Sequence, residues 1–198
     1  IGKQPLRIIG SHSGISIGYD GPSQMGMEDI AMMRSLPNSI VLYPSDGVSS
    51  YKLTQEIANY SNGISYLRTT RMTTAAIYNK NEEFPIGGLK VLRQSSYDKI
   101  TVVAAGATLH ESLRAAQILE EREIYICVVD LYSIKPMDTK TLSELAFKSN
   151  GKILTVEDHY PEGGIGEAVL SALAGLELKV YTKAVEILPR SGKPEELM

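Results

Sequence analysis

Aliphatic and polar positions fall in blocks along this chain. Short runs of Ile, Val, Leu and Tyr alternate with longer amphipathic stretches, and Gly, Pro, Asn or Ser stand between them. Runs at 6–9, 39–43 and 64–67 predict strands. A helix is expected between the first two, from Ser23 to about Leu36. Ser23 is its candidate N-cap, with Glu28 and Asp29 in early turns where the helix dipole favours anions. Met27, Ile30, Ala31, Met32 and Met33 give it a broad apolar face, read as core filler. A second helix is expected from Asp46 or Ser45 as cap to about Ala58. Pro37 with Asn38, and Asn62 with Gly63, end the two helices. Strands separated by helices imply parallel βαβ units with their carboxyl ends on one edge. That edge should carry the glycine-rich loop after the first strand and the Arg68/Arg71 pair after the third.

Periodicity lapses from 72 to 85, where the polar run 79–83 reads as a linker, and a strand follows at 89–93. The alternation then resumes. Strands are expected at 100–105, 124–129, 152–156 and 178–181. Helices should open at Thr108, with Glu111 completing a capping box, at Asp138 as cap, and at the Gly163–Gly166 run. The fold class is therefore α/β, with a second open sheet following the first.

Composition narrows this reading. The 198 residues suffice for one large or two small domains, 43% are hydrophobic, and the net charge of −3 is spread along the chain. Neither a basic patch for nucleic acid nor a run long enough to span a bilayer is present. The single cysteine, Cys127, lies in an apolar run and reads as a buried small hydrophobe. Without a second cysteine there is no internal disulfide, which fits a reducing compartment. The chain starts at Ile1 and stops at Met198 after a charged stretch, and both ends read as cuts through a longer protein.

Candidate chemistry concentrates in residues 10–24, GSHSGISIGYDGPSQ. Gly10, Gly14, Gly18 and Gly21 let the backbone turn sharply and approach a ligand closely. Among them stand His12, Asp20 and Gln24. A histidine can pass a proton or bind a substrate hydroxyl, and an aspartate can bind a second hydroxyl. The alternative is a connection whose polar groups satisfy their own backbone. Arg71 suits an anion through its planar fork, with Arg68 as competitor, unless both are paired with carboxylates. The Gly163–Gly166 turn resembles a phosphate site but lacks the complete dinucleotide pattern, so tight helix packing is the competing account. Glu157, Asp158 and His159, after a strand, could serve a site or a domain interface, and His110 reads as a surface residue. Neither a nucleophile elbow nor metal-ligand spacing of His and Cys occurs.

The 10–24 stretch resembles the pyrimidine-domain signature of the transketolase family, in its animal-type form. So do LYPSDG at 42–47, RTTR at 68–71, VEDH at 156–159, GGIGE at 163–167 and PRSGKP at 189–194. The resemblance implies the second half of a thiamine-diphosphate pyrimidine-binding domain over 1–73, a linker and first strand over 74–95, and a three-layer α/β/α C-terminal domain over 96–198. It implies transfer of a two-carbon ketol unit between sugar phosphates in the pentose phosphate pathway, with thiamine diphosphate and a divalent cation, Mg or Ca. It also implies a cytoplasmic homodimer. It gives catalytic roles to His12 and Gln24, substrate binding to His12, Asp20 and Arg71, and cofactor contact to Gln24. Ser45 and Asp46 keep only a capping role. No metal ligand falls in this chain, and the family's cofactor-activating glutamate belongs before Ile1, so the chain alone is expected to be inactive. Tyr19 departs from the acidic residue usual there. The alternatives are an E1 β-type or deoxyxylulose-phosphate-synthase-type thiamine enzyme, and a non-catalytic dimerising module.

Overall fold

A computed structural model describes residues 4–197. In chain order its strands are β1 (Arg7–Gly10), β2 (Ile40–Leu42), β3 (Ser65–Arg68), β4 (Lys90–Arg93), β5 (Thr101–Ala104), β6 (Cys127–Asp130), β7 (Ser133–Lys135), β8 (Lys152–Val156) and β9 (Lys179–Lys183). The α-helices are α1 (Asp29–Ser35), α2 (Gly47–Asn59), α3 (Ala107–Glu120), α4 (Thr139–Lys148), α5 (Ile165–Ala172) and α6 (Pro194–Leu197). No helix among the described residues is long and apolar enough to cross a membrane.

The fold is α/β, as the alternation predicts. One sheet runs β1-β3-β2-β7 and the other β4-β6-β5-β8-β9. The first three strands of the first sheet are parallel, and so are β5, β6, β8 and β9 of the second. The centre of the second sheet is buried on both faces, which is why its strands read as continuous apolar runs. Val103 and Val129 pack with Leu142 and Leu145 of α4 and with Ile165 and Val169 of α5. Val102 and Val128 point the other way, onto Leu109 and Ala116 of α3.

Several local expectations give way to tertiary packing. Ser23 caps no long helix. Residues Pro22–Gln24 form a 3₁₀ turn, Gly26 adopts φ 56, and α1 begins only at Asp29. Met25 and Met27 are drawn into a separate buried cluster with Ile17, Val185 and Leu197, and that pull breaks the helical path. Met32 is exposed rather than core. The capping box at Thr108 does not form. Gly106 stands at the N-cap, and the Thr108 hydroxyl donates instead to the carbonyls of Ala105 and Val156. Gly106 is required there, since a Cβ would lie 2.0 Å from the Tyr43 ring. His110 is no free surface residue, for its Nε2 lies 2.6 Å from the Ser45 carbonyl oxygen.

The stretch from 72 to 85 lacks regular structure but is tightly held. Asp46 caps α2 as expected, accepting the Ser49 N–H at 2.8 Å, and its second oxygen accepts the N–H groups of Ile77 and Tyr78 at 2.9 and 3.0 Å. Phe84 packs edge-on against Tyr78 and Tyr132, at 4.8 and 5.1 Å between ring centres. The three-residue β7 is too short to show a period, and it crosses from the second block to pair antiparallel with β2. Lys135 then donates to the carbonyls of Arg34 and Leu36.

Asp130 closes this joint. Its carboxyl accepts the Tyr78 hydroxyl at 2.6 Å and the Ser45 hydroxyl at 3.0 Å, while Ser45 Oγ accepts the Gly106 N–H at 2.9 Å. Burial pushes Asp130 up to about 7, against the opposing pull of the two hydroxyls. Between the ordinary aspartate value and that one, the native state holds a proton that the unfolded chain has lost. The resulting stabilisation is full below about pH 4 and is lost as pH rises through about 7. Thermal midpoints of the wild type should therefore fall from about pH 5 to about pH 8, and Asp130→Asn should fall less steeply. Parallel slopes for the two proteins would contradict this.

Candidate active site

The carboxyl ends of β1 and β3 meet where the 10–24 loop departs. Thr69 donates its N–H to the Gly10 carbonyl at 2.8 Å, and Ser13 donates to the Thr69 carbonyl at 3.0 Å. His12 lies in this turn with φ 67, a left-handed conformation uncommon for a side-chain-bearing residue. Such outliers concentrate at functional sites. The imidazole is exposed, with Nδ1 3.0 Å from Ser11 Oγ. The loop then makes a 3₁₀ turn kinked at Gly18, Ile15–Asp20, and a second 3₁₀ turn, Pro22–Gln24.

Asp20 ends the first turn and meets Arg71 across the sheet edge, with Nη1 to Oδ2 at 2.8 Å. The two side chains are 44% and 52% exposed. A surface ion pair of this kind contributes only about 0–1 kcal/mol to stability, so fold stability does not depend on it. Its remaining guanidinium N–H groups and carboxylate oxygen are available to a solute. Gln24 is exposed at the end of the second turn. Among the described residues, neither His12 nor Gln24 hydrogen-bonds to the Asp20–Arg71 pair. A cleft of about 200 Å³ lies past the ends of β2 and β3, bordered by Ser45, Asp46, Thr69, Thr70 and Met72, and neither Asp20 nor Arg71 lines it.

Arg68 is not an anion ligand. It is fully buried, and its donors are committed to protein. Nε binds Asp29 at 2.9 Å, Nη1 binds Asp158 Oδ1 at 2.7 Å, and Nη2 donates to the Asp158 carbonyl at 3.0 Å. The guanidinium lies 4.5 Å from the centre of the Tyr43 ring. The Tyr43 hydroxyl donates to Asp158 at 3.0 Å, and the Tyr66 hydroxyl donates to Asp29 at 2.6 Å. Burial works against the arginine charge, but Asp158 and Asp29 outweigh it and keep the group protonated. The helix-dipole role expected for Asp29 gives way to this pairing, and of the two neighbouring acids Glu28 stays exposed while Asp29 is buried.

Residues 157–159 form an interface rather than a second site. Asp158 is Arg68's partner from the other sheet. His159 donates Nδ1–H to the Tyr160 carbonyl at 2.6 Å, which leaves Nε2 to accept the Ala31 N–H at 3.4 Å. Burial lowers its pKa, favouring that neutral form. Glu157 fills the Gly163–Gly166 turn itself, accepting the N–H groups of Ile165 at 2.5 Å and Gly166 at 2.9 Å. A Cβ on Gly164 would lie 2.1 Å from Glu157 Oε2. The anion at this helix start is thus the protein's own, and the turn is not a phosphate or dinucleotide site. Cys127 is buried, which pushes its thiol up to about 11 and makes it inert. No cluster of three or more His, Cys, Asp or Glu suited to a metal occurs among the described residues.

Residues 1–75 match the family model of the transketolase pyrimidine binding domain, and residues 89–198 match that of the transketolase C-terminal domain. The chain is 51% identical over 199 residues to transketolase of Homo sapiens and, at the same identity, to transketolase-like protein 2 of Mus musculus. Each alignment covers 100% of this chain and 32% of the relative. The chain therefore spans about a third of the length of the curated relatives it matches. Among solved structures it is similar to a split-gene transketolase in an inactive β4 tetramer, with TM-score 0.82 and 31% identity over 92% of this chain and 58% of that one. It is also similar to the transketolase of Campylobacter jejuni, with TM-score 0.76 and 25% identity over 96% of this chain and 28% of that one.

Removing the buried guanidinium tests its role. Arg68→Met leaves Asp29 and Asp158 without a counter-charge and should cost about 3–5 kcal/mol in urea unfolding. A loss under about 1 kcal/mol would show that the two carboxylates do not depend on Arg68.

Proposed function

The chain belongs to the transketolase family, and on that premise we propose that it forms the substrate-facing wall of a ketol-transferring enzyme. The reaction moves a two-carbon unit from a ketose phosphate to an aldose phosphate. One observation carries the reading. A half-exposed arginine and aspartate are paired at 2.8 Å on the carboxyl edge of the first sheet, in reach of a loop that holds His12 in a left-handed turn.

Each residue has a task suited to its chemistry. The Arg71 fork grips the phosphate end of the sugar, since a planar guanidinium matches two phosphate oxygens at once. Asp20 accepts a hydrogen bond from the C2 hydroxyl and reads its configuration. The exposed imidazole of His12 donates to or accepts from substrate oxygens near the reacting carbonyl, holding or moving a proton there. Gln24 offers an uncharged amide toward the cofactor.

Thiamine diphosphate, when bound, supplies the electron sink for making and breaking the carbon–carbon bond. The described residues do not fit its diphosphate or the divalent cation. The one glycine turn expected to suit a phosphate is filled by Glu157, and no metal-ligand cluster occurs among them. We therefore assign both groups mainly to segments outside this chain. The division at about residues 73 and 95, a homodimer, a cytoplasmic location and a place in the pentose phosphate pathway complete the proposal. The family matches support it.

Three measurements test it. In the full-length protein, Arg71→Ala should raise KM for phosphorylated sugars about 10- to 100-fold, as for loss of a charge-assisted contact, and leave unphosphorylated sugars within about twofold. Equal effects on both would remove Arg71 from the phosphate. Asp20→Ala should erode discrimination at C2, and an unchanged stereochemical preference would refute its role. Calorimetric titration of this chain alone should show no tight cofactor binding, with or without a divalent cation. Tight metal-dependent binding would overturn the assignment of those groups elsewhere.

A further inference from the structure

The glycines of the 10–24 loop face protein rather than ligand. A Cβ on Gly14 (φ 88) would lie 1.8 Å from Asp158 Oδ2. On Gly18 (φ 70) it would lie 2.9 Å from the Gly192 carbonyl oxygen and 2.9 Å from Pro194. On Gly21 (φ 79) it would lie 2.6 Å from Ser191 Oγ. The Gly192 N–H also reaches the Gly18 carbonyl at 3.4 Å. Ile17, Met25 and Met27 complete the contact by burying themselves with Val185 and Leu197. Three positions that demand glycine by conformation thus also demand it for close approach, and each approach is to the second block.

The same block holds the other arm of the ion pair. Arg71 follows Arg68 by three residues, and Arg68 is clamped to Asp158. Asp158 therefore touches the Asp20 arm through Gly14 and the Arg71 arm through Arg68. Ser191 lies against Gly21, immediately after Asp20. We propose that Asp158 and the 191–194 segment are positioning elements that set the spacing of Asp20 and Arg71, although none of them contacts substrate. The inference rests on the reading of that pair as the sugar-phosphate site. The second block is then a jig for the substrate wall as well as a folding partner.

Asp158→Asn is the direct variant, keeping the side-chain volume against Gly14 while weakening the hold on Arg68. Because it disturbs a buried ion pair, Ser191→Leu accompanies it. Ser191 is exposed, so its enlargement presses on Gly21 without opening the core. Ser191→Ala is the conservative control. In the full-length protein, Ser191→Leu should speed hydrogen exchange at residues 15–24 with the thermal midpoint almost unchanged. It should raise KM for phosphorylated sugars about tenfold while kcat stays within about twofold. Ser191→Ala should match the wild type in both. Unchanged exchange in both Ser191→Leu and Asp158→Asn overturns the proposal whatever the activity. Faster exchange with unchanged KM likewise overturns it. Faster exchange in a protein whose wild type transfers no ketol unit supports the mechanical coupling and discards the functional reading instead.

Discussion

The buried charge of Arg68 is the constraint on which the rest depends. A guanidinium removed from water is tolerable only with counter-charges and filled hydrogen-bond directions, and two carboxylates meet that demand. They come from opposite parts of the chain. Asp29 opens α1 beside the first sheet, and Asp158 follows β8 of the second. The second block could not bury Asp158 alone without stranding a charge, and the first alone would leave Arg68 with Asp29 as its one counter-charge and its Nη donors unfilled. The tyrosines complete it, Tyr43 from the end of β2 and Tyr66 from β3, each donating a hydroxyl to one carboxylate. The two sheets are consequently fixed to one another at the edge where the candidate site lies.

Of two other buried carboxylates, Asp130 reinforces the same joint, and Glu157 holds a turn within the second block. Glu157 caps α5 from within, where the unsatisfied N–H groups of a helix start favour an anion. Burial nevertheless pushes it up to about 7, so the hydrogen bonds only partly offset desolvation. Asp130 depends on hydroxyl partners from the first block and from the irregular 72–85 stretch. That stretch therefore behaves as a strap and not as a loose tether. Two of its backbone N–H groups, those of Ile77 and Tyr78, are satisfied by Asp46, whose other oxygen starts α2.

The exposed Asp20–Arg71 pair is the counterpart of this buried system. Its contribution to stability is small because water screens it, and the same openness leaves it accessible to a phosphorylated, hydroxylated solute. Arg68 and Arg71 are one residue type three positions apart, and nothing in the RTTR run separates their roles. Arg68 is the last residue of β3 and points into the sheet junction. Arg71 has passed the sheet edge and reaches outward. The alternation of strands and helices was legible because periodicity is local. The short β7, the broken helix before α1 and the glycine at the start of α3 were not, because distant packing decides each of them. Met25 and Met27 illustrate this, carrying a helical pattern yet following a remote apolar cluster instead.

The sequence by itself determined the α/β class, the order of the main strands, the cap at Asp138, a cap at Ser45 or Asp46, and the gathering of the polar loop with Arg71 on one edge. These follow from hydrophobic period, turn residues and the handedness of parallel connections. Its motifs also carried the family. Only the tertiary structure decided which arginine is exposed, what fills the Gly163–Gly166 turn and what the loop glycines face. Glu157 fills its turn from only eight positions away, but the first and last of these outcomes turn on contacts between residues remote in sequence, such as Gly14 with Asp158 and Arg68 with Asp158. No local pattern encodes a partner at that distance. The physical reason is burial, since a charge or a glycine acquires its meaning only from what the fold packs against it.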